Sequence, residues 1–223
     1  MVTTWTGEAG SGAGTPDASP SARRLTALAD SMRMEIDKEY SAVIGTLTAE
    51  WKRGDRQSPI GTFIAEAQRV GAGAEVGFMN THGIRKDQPA GPITKKDLFE
   101  ILPFRNLLVT FQLSGKELLG VLRFAVEKRS TIQVAGLDAV IRKKSDGTAE
   151  VVKAEIGGKG IDPDRMYTCA ASDYFVGESK GYLGLEIPRP ITLRQTVFSV
   201  VEEAIRKAGT IEPRVLNTIQ VQP

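Results

Sequence analysis

Apolar positions along this chain change their period several times, and each change marks an element. In "SARRLTALADSMRMEIDKEY", Leu25, Leu28, Met32 and Ile36 recur at helical spacing, which predicts a helix from Ser21. "SAVIGTLTA" reads as a strand with its turn. In "SPIGTFIAEAQRVGAG", Pro59 suits a first helical turn, Ile60, Phe63, Ile64 and Ala67 make a stripe, and Gly71 ends it. "EVGFM" is a short apolar strand. "TKKDLFEIL" opens with Thr94 and Asp97 at capping-box spacing, and "SGKELLGVLRFAVEK" with Ser114 and Glu117. Between these two helices "NLLVTFQL" is a strand. "TIQVAGLDAVIRKK", "AEVVKAEIGG" and "RMYTCAA" are strand-like and separated by turns such as "SDGT". "TLRQTVFSVVEEAIRKAG" reads as a helix capped by Thr192 and Gln195, with Val197, Phe198, Val201 and Ile205 on one face and Gly209 closing it. Helices and strands are interspersed without strict alternation. The expected fold is therefore α+β, a single domain over residues 21–223 with a mixed sheet flanked by helices.

Composition narrows the classes. Hydrophobic residues make up 41% and charged residues 25% of 223, an ordinary globular balance. With 29 basic and 27 acidic residues the net charge is +2. That near balance argues against a polymeric nucleic-acid partner, which needs a clustered excess of cations. No apolar run has the length of a membrane span. The one cysteine, Cys169, stands in the apolar stretch "MYTCAAS" and reads as a small buried residue. Residues 1–20 are rich in Gly, Ser, Thr, Ala and Pro. They have neither the basic start nor the apolar middle of a secretory signal, and read as a flexible tail or linker.

The chemistry of catalysis is sparse. Binuclear metal hydrolysis needs several converging His, Asp or Cys ligands, and His82 is the only histidine. HExxH, CxxC, GxSxG, the Gly-rich dinucleotide fingerprint and the phosphate loop of NTPases are absent. A triad on His82 has no serine in a strand–turn–helix elbow to support it. Neither a catalytic nor a metal-ligating residue is therefore assigned.

The parts of a binding site are present. "NTHGIR" offers the amide of Asn80, a tight turn at Gly83 and the guanidinium of Arg85, whose fork suits phosphate. Phe104 in "LPFRN" precedes a strand. Tyr174 and Phe175 stand in "SDYFVGESKGY", which reads as a loop. Two rings on separate loops can sandwich a base, each stack being worth about 1–3 kcal/mol in nucleic-acid systems. Composition leaves core packing open for Phe104 and Phe175, and a solvated charge open for Arg85.

At this point the chain strongly resembles the C-terminal domain of the 5′-nucleotidase family, which includes UDP-sugar hydrolases and 2′,3′-cyclic nucleotide phosphodiesterases. The resemblance runs over about residues 40–210, through "SPIGTFIAEAQR", "FMNTHGIRKDQPAGPITKKDLFEILPFRNLLVTFQLSGKELLGVL", "IDPDRMYTCAASDYF" and "GYLGL". It implies a nucleotide substrate-binding domain of a phosphohydrolase. The two divalent metals and the catalytic His–Asp pair would then lie in an N-terminal metallophosphatase domain, supplied in cis or in trans. No cofactor is expected in this chain, and alone it is expected to be inactive. By motif position Asn80 would meet the base or its surroundings, Arg85 the phosphate and ribose side, Phe104 and Tyr174 the two faces of the base, and Asn106 a polar edge. A periplasmic or extracellular setting is also implied.

Three departures stand out. The family's N-G-G-G-I-R carries Thr81 and His82 here. Gly54 occupies the place of a second family arginine, with Arg53 and Arg56 beside it. The family's GGDG loop, whose aspartate meets the ribose hydroxyls, reads "ESKG", with Lys180 for the carboxylate and Glu178 two residues earlier. Lysine has no acceptor for a ribose diol. Arg56, His82 and Lys180 are thus further candidates beside the six residues above, with His82 read as a loop residue first and a ligand contact second. A diverged binding module, and the recognition domain of a hydrolase for non-nucleotides such as the thiosulfate-oxidation enzymes, are the competing functions.

Overall fold

The structure is a computed structural model that describes residues 19–216 and 219–222. The expected tail over residues 1–20 lies outside the described residues apart from its last two. The chain divides into two units, residues 1–39 and Tyr40–Pro223. Helix α1 (Pro20–Tyr40) has the predicted period, yet none of its residues is buried, and Leu25 and Leu28 are 68% and 59% exposed. A helical stripe specifies a face, not a surface to cover it.

In the second unit, β1 (Val43–Leu47) leads to α2 (Pro59–Gly71), whose cap Ser58 accepts from the Gly61 N–H. β2 (Val76–Asn80) follows, then β3 (Gly91–Thr94) and α3 (Lys95–Ile101). Next come β4 (Leu107–Ser114) and α4 (Gly115–Glu127). Both capping boxes form as their spacing predicts: Thr94 with Asp97 at α3, Ser114 with Glu117 at α4.

The strand-like stretch 131–144 is two strands, β5 (Ile132–Ala135) and β6 (Leu137–Lys143). Gly136 separates them at φ +80°, where a side chain would also run into the Glu75 carbonyl. β7 (Ala149–Ile156), β8 (Lys159–Gly160) and β9 (Met166–Ser172) continue the chain. The segment expected as a loop forms two short helices, α5 (Asp173–Gly177) and α6 (Ser179–Leu183).

The C-terminal helix begins later than predicted. Residues Ile191–Thr196 form β10, paired antiparallel to β4 with Thr192 opposite Val109. The helix α7 (Val197–Ala208) is capped by Thr196 with Ser199, not by Thr192 with Gln195. Both threonines pair with β4, Thr192 opposite Val109 within the strand and Thr196 opposite Leu107 as its last residue, so it is Thr196 that stands at the start of the helix and caps it. β11 (Thr210–Ile211) and β12 (Ile219–Gln222) complete the chain.

Among the described residues three sheets result, in the orders β11-β1-β3, β10-β4-β9-β2-β5 and β12-β6-β7-β8. The middle one is mixed, since β2 and β9 run parallel while the other pairs are antiparallel. Its alternating side chains feed two separate cores. On β9, Tyr167, Cys169 and Ala171 face the core built on α4, and Ala170 faces the one built on α2 and α7. This is the expected α+β arrangement of a mixed sheet between helices.

Cys169 is fully buried, and desolvation pushes its thiol far above the ordinary range. A thiol so placed packs as a small apolar residue. Leu118, Leu122 and Val126 of α4 form one buried stripe against the sheet. Leu122→Ala is expected to cost about 2–5 kcal/mol in denaturant unfolding. A loss below about 0.5 kcal/mol, typical of an exposed site, would contradict that packing.

Candidate ligand-binding site

The middle sheet sets the site by its strand directions. β2 and β9 are parallel, so both end at the same edge, and antiparallel β4 begins there, with Leu108 opposite Ser172. Three segments therefore meet at one edge: "NTHGIR" after β2, "LPFRN" before β4, and the first turn of α5 after β9. A cavity of about 250 Å³ opens between them. Asn80, Gly83, Arg85, Phe104, Asn106 and Tyr174 all line it, together with His82 and Tyr182. Phe104 and Tyr174 are about half exposed, at 47% and 52%, so both rings are free to offer a face. Phe175, the other aromatic of that stretch, is fully buried in the core.

Tyr182 is the cavity residue that sequence reasoning missed, although it sits in the quoted "GYLGL". Its ring stacks on Phe175 at 4.9 Å and 7°. Phe175 stacks on Phe78, and Phe78 on Phe111, so four rings run from the cavity into the core. The Tyr182 hydroxyl interacts with the side chains of Tyr174 and Asn80. Burial first, and Tyr174 second, raise it above the usual phenol value and keep it protonated. The Tyr182 carbonyl accepts from the Ser130 hydroxyl at 2.7 Å. One residue thus braces a ring and an amide of the cavity wall.

The turn 81–83 is tightly specified. A side chain at Gly83 would collide with the Met79 methyl and crowd both polar atoms of the Asn80 amide. Thr81, which stands where the family has glycine, is buried, and its hydroxyl accepts from Gln133 Nε2 at 2.8 Å. His82 is exposed and contributes its carbonyl to Arg85 Nη1 at 3.0 Å.

A polar cavity of about 370 Å³ adjoins, sharing His82 and Arg85 with the first and lined also by Arg53, Asp55 and Asp87. Of the two arginines beside Gly54, Arg53 faces this cavity, while Arg56 lines a different one. The Arg53 Nε pairs with Asp87 at 3.0 Å and its Nη1 donates to the Ile84 carbonyl at 3.3 Å. In the sequence Arg53 is only a neighbour of Gly54, and it is this neighbour that lines the polar cavity. Lys180 lies in neither cavity. It pairs with Glu186 at 2.9 Å, and both side chains are about three-quarters exposed. Among the described residues no group of three His, Cys, Asp or Glu side chains is placed to hold a metal, so no step through a metal is assigned to this chain.

Fold and cavity place the chain among α+β domains with a recessed pocket where parallel strands of a mixed sheet end. Residues 43–185 match the family described as 5′-nucleotidase, C-terminal domain, and the chain belongs to that family. It is 28% identical over 195 residues to the protein UshA of Yersinia enterocolitica, covering 84% of this chain and 34% of that protein. It is 26% identical over 170 residues to the endonuclease YhcR of Bacillus subtilis, covering 73% of this chain and 14% of that one. A 5′-nucleotidase precursor from Thermus thermophilus shares its fold with a TM-score of 0.73, at 21% identity over 90% of this chain and 43% of the other. The chain spans about a third or less of the length of those two sequence relatives.

Asp87 supplies a titration test of the polar cavity. The Arg53 backbone N–H, at 2.8 Å, is the first cause of its depressed carboxyl value, and the guanidinium adds to it. A depressed carboxylate contributes stability that is present above the unfolded value and lost as pH falls through the folded one. Carboxyl NMR should place the Asp87 midpoint below that of ordinary aspartate. Arg53→Met should raise it only in part, since the backbone donor stays. A full return to the ordinary value would make the guanidinium the dominant partner.

Proposed function

We propose that this domain recognises a phosphorylated nucleoside, with the base between Phe104 and Tyr174 and the phosphate toward Arg85 and Arg53. The observation that carries this reading is the convergence of two half-exposed rings, two amides and a guanidinium from three chain segments on one sheet edge. Asn80 and Asn106 offer donors and acceptors to a base edge. In this reading the domain presents substrate to a metal-dependent phosphohydrolase domain, in cis or in trans, in the periplasm or outside the cell. Alone it turns over no phosphate ester. Lys180 takes no part in this reading, since it lines neither cavity and its nearest charged partner is Glu186 on the surface.

Among the described residues no carboxylate lines the aromatic cavity, so a ribose diol would meet only neutral acceptors there, the amides of Asn80 and Asn106 and the phenols of Tyr174 and Tyr182. Sugar hydroxyls would contribute little to selection. The base and the phosphate would carry recognition between them.

Isothermal titration with AMP tests the reading. Phe104→Ala should weaken binding by about 1–3 kcal/mol, the worth of one stacked ring. Arg85→Ala should weaken AMP by about 1.5–3 kcal/mol, as for a hydrogen bond to a charged group, and leave adenosine nearly unchanged. Lys180→Asp should leave the adenosine to deoxyadenosine affinity ratio as it is. Absence of AMP binding into the millimolar range would refute the proposal.

A further inference from the structure

Another cavity, of about 320 Å³, opens between the end of α4, strands β5, β6 and β12 and the loop of residues 55–57. Of its lining, only Asp55 also borders the polar cavity described above. One side of it is aliphatic, formed by Leu122, Val126, Ile132, Ile141, Ile219 and Val221, while Gln57, Ser130 and Thr131 add polar groups and no aromatic ring is among its lining residues. Its rim carries Arg56, Arg129 and Lys143. Among the described residues none of these three cations has a carboxylate partner, whereas their neighbours Arg142 and Lys144 both pair with Glu150. Asp55 is the one acid at the rim.

Arg129 is placed there against local preference. It follows the α4 cap Lys128 at φ +53°, and the Ser130 N–H closes the helix on the Ala125 carbonyl at 3.0 Å. Glycine is the usual residue at that left-handed position, and a side chain there is disfavoured. The position gains a guanidinium on the cavity rim and no ion pair.

We propose that this cavity binds an aliphatic anion, its tail against the six aliphatic side chains and its acidic head among Arg56, Arg129 and Lys143. An alkyl tail is stabilised by leaving water, and the head by three cations that otherwise have only solvent. A flat aromatic ligand would find no ring to stack on. The larger groove between α2 and α7, about 800 Å³, has the opposite charge balance, with Glu66, Glu203 and Glu212 against Lys207 and Arg214. An anion therefore prefers the smaller cavity.

Octanoate, octan-1-ol and octylamine titrated into the full chain, followed by methyl NMR, test the proposal. Octanoate should shift the Ile132, Ile141 and Ile219 methyls saturably, about tenfold more tightly than octanol, the worth of one charge-assisted contact. Octylamine should bind least. Arg129→Gly should melt at or above the wild-type temperature and yet bind octanoate several-fold more weakly, which separates a ligand role from a structural one. Phe104→Ala should leave octanoate binding intact and so keep this site distinct from the aromatic cavity. Equal affinity for octanol, shifts at Val200 and Ile211 instead, no saturable shift up to about 10 mM, or an unchanged affinity in Arg129→Gly would each overturn it.

Discussion

The side-chain amide of Gln133 is the joint on which the site depends. It is fully buried on β5. Its oxygen accepts from the Ser58 N–H at 2.8 Å and the Ser58 hydroxyl at 3.2 Å. Its nitrogen, with two N–H groups, lies within hydrogen-bonding reach of the Gly54 carbonyl, the Arg56 carbonyl and the Thr81 hydroxyl, so one N–H is shared. One amide therefore ties the sheet to the start of α2, to the loop that carries Arg53, and to the turn that carries His82 and Arg85. A buried amide left without partners costs about 1–3 kcal/mol, so these groups hold one another in register. Gly61 in the first turn of α2 is part of the same constraint, because a side chain there would occupy the space of the Gln133 amide.

Beside this joint the loop borrows the hydrogen-bonding pattern of a strand. Gln57 donates to the Ile132 carbonyl and accepts from the Val134 N–H, both at 3.2 Å. Residues 54–58 are thus pinned along β5 without being a strand. The outcome is a loop that presents Arg53 to one cavity and Arg56 to another.

The aromatic wall is held by different physics. Tyr182, Phe175, Phe78 and Phe111 form a stacked series whose inner members are buried. Offset ring contacts add to area burial and favour a single orientation. Tyr174 and Phe104 are outside that series and stay half exposed, which leaves their faces to a ligand. Support of Tyr174 by the Tyr182 hydroxyl limits the entropy that ordering this ring on binding would lose.

Much of this was legible along the chain. The capping boxes at Thr94 and Ser114, the α2 and α4 stripes and the apolar runs of β2 and β9 are local patterns, and local hydrogen bonds and periodicity determine them. The cavity residues Asn80, Arg85, Phe104, Asn106 and Tyr174 were legible as a resemblance. Tertiary structure decided what depends on partners distant in sequence. Thr192 falls inside β10 opposite Val109, and the strand continues to Thr196 before α7 begins, because β4 supplies a pairing edge along that stretch. Arg53 rather than Arg56 faces the polar cavity, because Gln133, some 80 residues away, sets the loop. Lys180 turned outward to Glu186, and Tyr182 turned inward onto Phe175. Such choices rest on contacts between segments that no local period encodes, since a side chain's direction in a loop is set by what the rest of the chain brings against it.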